Sequence, residues 1–125
     1  MLHVGYSVLY RDGLTHPLRD VLLYSDVGVF VGVEPSGIKR RDEGPNVFSA
    51  SGVALSITSG RFSYILGLVG PCYSIDTACS SFLAALHICK IVAHRKEFSE
   101  AVAIGTKFLS EADNMTTAIA GMTSL

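Results

Sequence analysis

Among the 125 residues, those best suited to chemistry lie around Cys79. In the stretch YSIDTACSSFLAALHICK the chain alternates up to Ala78, and an almost wholly apolar helix follows Cys79. A cysteine at that joint stands at the start of a helix. There the first backbone N–H groups lack partners, and the dipole presents about half a positive charge. Such a setting favours thiolate over thiol. The same N–H groups can bind an oxyanion once sulfur has attacked a carbonyl carbon. Ala78, Ser80 and Ser81 are small and leave room for a long substrate. Asp76 reads as a hydrogen-bonding residue at a strand end, because a carboxylate beside the sulfur would oppose the thiolate.

The other candidates offer less. Cys89 falls inside the apolar helix and reads as core. Cys72 reads as a small residue in a turn. The spacing Cys-x6-Cys-x9-Cys fits neither a disulfide framework nor a zinc site, so no metal is expected. His87 and His94 would stand roughly 12 Å and 22 Å from Cys79 along the helix axis. That is beyond proton transfer, which argues against a cysteine hydrolase of the Cys–His kind. His87 reads as a packed helix residue. Lys39, Arg40 and Arg41 neighbour Asp42 and Glu43 and read as a solvated loop rather than a docking patch. The scattered glycines, Gly5 and Gly13 among them, form no phosphate cradle.

The elements that must position Cys79 follow from pattern. Residues 1–26 are weakly patterned, with a short helix after Pro17. VGVFVGV (Val27–Val33) is a buried strand, and Glu34–Asn46 an exposed loop. Ser51–Leu66 is a helix placing Val53, Ile57, Phe62 and Ile65 inward, stopped by Gly67. Tyr73–Ala78 is a strand with Tyr73, Ile75 and Thr77 on one face. Ser80–Glu97 is a helix that is apolar all round. It is therefore expected to be buried, with its N-terminus inside and its charged end in water. Glu100–Leu109 is a strand, and Ser110 with Asp113 opens a further helix in the manner of a capping box. Strand and helix alternate, so the fold class is α/β with parallel pairing.

The totals agree with a globular domain or part of one. Apolar residues make up 49% and charged residues 17%, with a formal net charge of −1. Nucleic acid and anionic membrane are not implied as partners. No apolar run reaches the roughly 18 residues of a membrane span. Three cysteines and no leader-like start suggest reduced thiols and an intracellular, cytoplasmic setting. A body of this size hides only about two-thirds of its unfolded surface, so apolar surface should be left for a partner.

The longer pattern is more specific. GPCYSIDTACSSFLAALHICK, with its core DTACSS and the following L-AALH, resembles the active-site segment of β-ketoacyl synthase (ketosynthase) domains of polyketide synthases. The resemblance extends back through SASGVALSITSGRFSYILGLVGP and GVFVGV, and forward through EAVAIGTKFLS to AGMTSL. It covers the chain from about Asp26 to Leu125, so residues 1–125 read as the N-terminal part of one such domain.

That resemblance implies a thiolase-like α/β fold, present in part, and an acyltransferase. Cys79 would accept an acyl group from phosphopantetheine on an acyl carrier protein. A malonyl-type extender would then lose carbon dioxide and attack the acyl-enzyme, a decarboxylative Claisen condensation of polyketide or fatty acid biosynthesis. No cofactor bound to the chain itself is implied. Ala78, Ser80 and Phe82 would stand near the substrate, and Tyr73, Ile75 and Thr77 would lie on the strand that pairs across a homodimer. The family's two histidines and supporting lysine belong to its C-terminal half, which these residues do not match. The isolated chain is therefore expected to be inactive and to need that half as a partner. A non-catalytic, ketosynthase-like interaction protein is the alternative. Phe82 and Lys107 depart from the family pattern. Phe82 would narrow the acyl pocket or fill core, the latter being favoured, and Lys107 has no evident role.

Overall fold

The computed structural model describes residues 2–11, 22–34, 54–107 and 111–122. Helix α1 spans Leu2–Arg11 and strand β1 spans Gly28–Glu34. A 3-10 turn, Leu55–Ile57, leads into α2, Thr58–Leu66. Strand β2, Cys72–Ile75, is followed by helix α3, Ser81–His94, strand β3, Ala101–Lys107, and helix α4, Glu111–Ile119. The strands form one parallel sheet in the order β2-β1-β3. Parallel neighbours need crossovers, and α2 and α3 supply them.

The two faces of β1 are built from different residues. Val29, Val31 and Val33 face one side, where they pack with Val102, Phe62, Leu66 and Leu9. Gly28, Phe30, Gly32 and Glu34 alternate onto the face that carries α3. Phe30 is fully buried there, against Ala85 and Val92 of α3. Its ring stacks on Tyr73 with centroids 5.3 Å apart and meets Phe98 at 5.6 Å. Pairs of this geometry add about 0.5–1.5 kcal/mol beyond area burial.

Beyond Phe30 the sheet surface falls away. Gly32 pairs in register with Gly105 of β3. A Cβ at Gly32 would lie 2.4 Å from the Ser81 carbonyl carbon and 2.5 Å from the Phe82 nitrogen. A Cβ at Gly105 would lie 3.0 Å from the Phe82 Cβ. The first turn of α3 thus rests on bare backbone, and only glycine at position 32 lets it settle there.

Several expectations from pattern need correction. Helix α1 lies in a region that pattern leaves weak. Its sheet-facing residues are Gly5, pressed against the Phe62 ring, and Leu9, one turn on. The helix after Pro17 falls almost wholly outside the described residues, as do Val53, Lys39, Arg40, Arg41 and the Ser110 cap. In α2 the inward stripe is Ser59, Phe62, Ser63 and Leu66, while Ile65 is exposed. Of the two buried serines, Ser63 Oγ has no hydrogen-bond partner among the described residues, whereas Ser59 is satisfied. Its N–H donates to Ser74 Oγ at 3.1 Å, and the two hydroxyls lie 2.9 Å apart. Gly67 ends the helix as expected, in the left-handed region at φ 73°.

The larger correction concerns α3. Only Ser81, Ala85 and Val92 are fully buried, and Leu83 is 69% exposed. Phe82, Leu86, His87 and Ile91 are exposed as well. The helix is apolar all round, yet among the described residues only the sheet covers it. Its start is therefore open, and His87 is not packed.

Gly32→Ala should lower stability to urea by about 1–3 kcal/mol, since backbone rather than a side-chain tip blocks the new methyl. Gly60→Ala is the control. Nothing lies within 4 Å of a Cβ at this position in α2, and the substitution should raise stability by about 0.5–1 kcal/mol. Equal effects in urea melts would refute the account of the glycine seat.

Candidate active site

Cys79 does not begin α3. It precedes the cap residue Ser80 and rides the crest of a tight turn between β2 and the helix. The strand stops at Ile75, because the Asp76 carboxylate turns back to accept the Ala78 N–H at 3.0 Å. Ala78 then adopts φ 55°, a left-handed conformation that costs a residue with a Cβ about 1–2 kcal/mol.

Side chains on either side hold that conformation. Ser81 Oγ accepts the Thr77 N–H at 2.9 Å and donates to the Ala78 carbonyl at 2.6 Å. Ser80 Oγ donates to the Thr77 carbonyl at 2.7 Å. The Ser80 and Ser81 N–H groups return to Thr77 and Ala78 carbonyls at 3.3 and 3.0 Å. Ser81 is itself buried, in the first helical turn over Gly32. The glycine seat therefore fixes Ser81, and Ser81 fixes the turn that presents Cys79 to solvent.

Cys79 borders a hollow of about 260 Å³ at the carboxyl ends of β1 and β3. Ala78, Ser81 and Phe82 form its helix side, and Gly32, Glu34, Gly105 and Lys107 its sheet side. Phe82 lies against Gly105 and is half exposed, so it lines the site rather than filling core. In open parallel sheets, ligands bind outside the carboxyl ends of the strands. At those ends Glu34 and Lys107, also register partners, form an ion pair with Oε2 and Nζ 2.9 Å apart. Sequence reasoning found Lys107 without a role and passed over Glu34. Their like parity in VGVE and IGTK was the signal that could have joined them.

The remaining expected site residues lie apart from the hollow. Ser80 and Thr77 edge an apolar trough on the outer side of α3 with Leu83, Leu86 and His87. Tyr73 and Ile75 sit under α3 on β2, an edge of the sheet among the described residues. Thr77 lies beyond that strand. Cys72 and Cys79 are exposed, whereas Cys89 is partly buried against the Phe30 cluster, and burial pushes its thiol pKa up. His3 is on α1, across the sheet from α3, and His94 ends α3. No described histidine borders the Cys79 hollow. No described helix is long and apolar enough to cross a membrane.

Comparison with known proteins identifies this arrangement. The family Beta-ketoacyl synthase, N-terminal domain, matches residues 1–124, and the chain belongs to that family. Erythronolide synthase EryA3 of Saccharopolyspora erythraea is 40% identical over 114 residues, 88% of this chain and 4% of that protein. Highly reducing polyketide synthase easB of Emericella nidulans is 36% identical over 113 residues, 87% of this chain and 4% of its own. The ketosynthase from module 6 of the bacillaene synthase of Bacillus subtilis 168 superposes with a TM-score of 0.74 at 28% identity. That match covers 98% of this chain and 20% of the solved one. The fold is thiolase-like, and the chain spans about a fifth of a solved ketosynthase and a few per cent of the polyketide synthases.

Ser81→Ala removes both bonds that Ser81 Oγ makes across the turn. It should cost about 1–3 kcal/mol of stability and slow iodoacetamide capture of Cys79 several-fold, read by peptide mass spectrometry. Cys89 should be the slowest of the three thiols in the parent chain. Unchanged capture of Cys79 in the Ser81 variant would show that the turn is held by other means.

Proposed function

We propose that these residues are the acyl-accepting part of a polyketide-type ketosynthase, with Cys79 as the nucleophile. The observation that carries this reading is an exposed thiol on a braced turn, just ahead of a helix, in a segment that belongs to the ketosynthase family. Sulfur attacks the thioester carbonyl of an acyl group delivered on the phosphopantetheine of an acyl carrier protein. The Cys79 N–H gives one of the two hydrogen bonds to the oxyanion that forms. Ala78 and Phe82 border the acyl group.

Condensation then needs groups that stabilise a thioester enolate. The described histidines lie across the sheet or along the outer face and end of α3. On this proposal the enolate-stabilising groups come from the part of a ketosynthase that this chain does not span. The same part covers the exposed apolar side of α3. Strand β2, an edge of the described sheet, is where a second subunit pairs in the complete enzyme, with Tyr73 and Ile75 beside that edge.

Incubation with an acetyl thioester of N-acetylcysteamine should add one acetyl mass to the chain, mapped to Cys79 and lost in Cys79→Ala. A malonyl thioester should release no carbon dioxide with the 125-residue chain alone. Acetylation that persists in Cys79→Ala would overturn the nucleophile assignment. Carbon dioxide release by the chain alone would overturn the division of labour.

A further inference from the structure

Glu34 and Lys107 place two charges in the hollow that Cys79 borders. Glu34 Oε2 is out of contact with water, and the ammonium 2.9 Å away compensates it. The pair is not deeply sealed, since the side chains are 25% and 39% exposed. Solvent entering the open hollow would reach the exposed parts of both side chains and supply part of the pair's solvation. A group that displaces this water must replace its hydrogen bonds or leave the charges poorer by them.

Of the lining residues, Ser81 has its hydroxyl engaged within the turn, and Glu34 and Lys107 are the charged ones. Gly32 and Gly105 contribute bare backbone and Phe82 an apolar wall. At about 260 Å³ the hollow is smaller than the roughly 300–1,000 Å³ of pockets that take drug-sized ligands. A group reaching in from Cys79 therefore meets the ion pair within a short distance.

We infer that the Glu34–Lys107 ion pair is a specificity determinant for the acyl group carried on Cys79, selecting chains that end in an oxygen function over aliphatic chains of the same length. This rests on Cys79 being the acyl acceptor. In the transfer step the Cys79 sulfur, as thiolate, forms a bond to the acyl carbonyl carbon. The bond from that carbon to the carrier sulfur breaks, and the departing carrier thiolate takes up the proton that Cys79 gave up. The ion pair takes no part in bond making. It sets which acyl chain can lie in the hollow while the carbonyl is held at the sulfur. A terminal hydroxyl can donate to Glu34 or accept from Lys107, replacing displaced water. A terminal methyl can do neither.

The test uses the 125-residue chain and two N-acetylcysteamine thioesters with equal numbers of heavy atoms, octanoyl and 7-hydroxyheptanoyl. Acylation of Cys79 is followed by intact mass. The expected preference for the hydroxylated ester is about tenfold, the order of one net hydrogen bond. It should fall to near unity in Glu34→Met/Lys107→Met, which keeps bulk and removes charge. It should survive in the charge-exchanged Glu34→Lys/Lys107→Glu chain. Equal rates for the two esters in the parent chain overturn the inference, whether or not the variants fold, and so does a preference that persists in the double methionine variant. If neither ester acylates Cys79, the nucleophile assignment falls and takes this inference with it. If both acylate it at equal rates, only the ion pair's role falls.

Discussion

The structure around Cys79 depends on one steric fact, the absence of a side chain at Gly32. The first turn of α3 approaches β1 so closely that a methyl group there would occupy the space of the Ser81 carbonyl carbon. Because the helix can settle, Ser81 is buried with its hydroxyl directed back to the Thr77 N–H and the Ala78 carbonyl. Those two bonds brace Ala78 in a left-handed conformation that it would otherwise leave. Lifting the helix by the width of a methyl group would break them together, and the crest that exposes Cys79 would relax. Backbone packing, side-chain hydrogen bonds and torsional strain are here one coupled arrangement rather than three separate contributions.

Along the same face of β1, the residues run from core to site. Gly28 admits the Phe98 ring, and Phe30 fills the space beneath the middle of α3 through its stacks on Tyr73 and Phe98. Gly32 lets the start of the helix down, and Glu34 ends the row with a charge. The partners in β3 follow suit with Ala101, Ala103, Gly105 and Lys107. One strand face thus passes from packed aromatics to bare backbone to an ion pair within a few residues. The hollow opens where packing stops. The opposite face keeps valine at each turn of the pleat, which anchors the strand so that this face is at liberty to vary.

Much of this is legible in the sequence. Val27–Val33 reads as a buried strand because both of its faces are apolar or small, and the parallel pairing follows from alternation with helices. Cys79 stands out because small residues flank it where one periodicity replaces another. What escaped notice has physical reasons. Ser59 of α2 looks polar by type, yet it is satisfied through Ser74, a partner fifteen residues away in sequence. Helix α1 carries its contact at Gly5, a residue that marks close approach only once its neighbour Phe62 is known. The Glu34–Lys107 pair depends on the register between two strands far apart in the chain. Local pattern reads propensity and periodicity well, but it cannot read a register.

The reading of α3 as buried is the instructive failure, because its premise was sound. A helix with apolar residues in every direction needs apolar neighbours on every side. Here the sheet covers the stripe Ser81, Ala85 and Val92, while Leu83, Leu86 and Ile91 meet solvent. The sequence therefore encodes a helix for the middle of a thicker body than the described residues form. A chain that matches nearly all of its own length to about a fifth of a solved ketosynthase fits that deduction. On the function proposed here, the uncovered side of α3 and the uncompleted chemistry at Cys79 have one remedy. The layer that would dry Leu83 and Leu86 is also the source of the groups that would stabilise an enolate beside the sulfur.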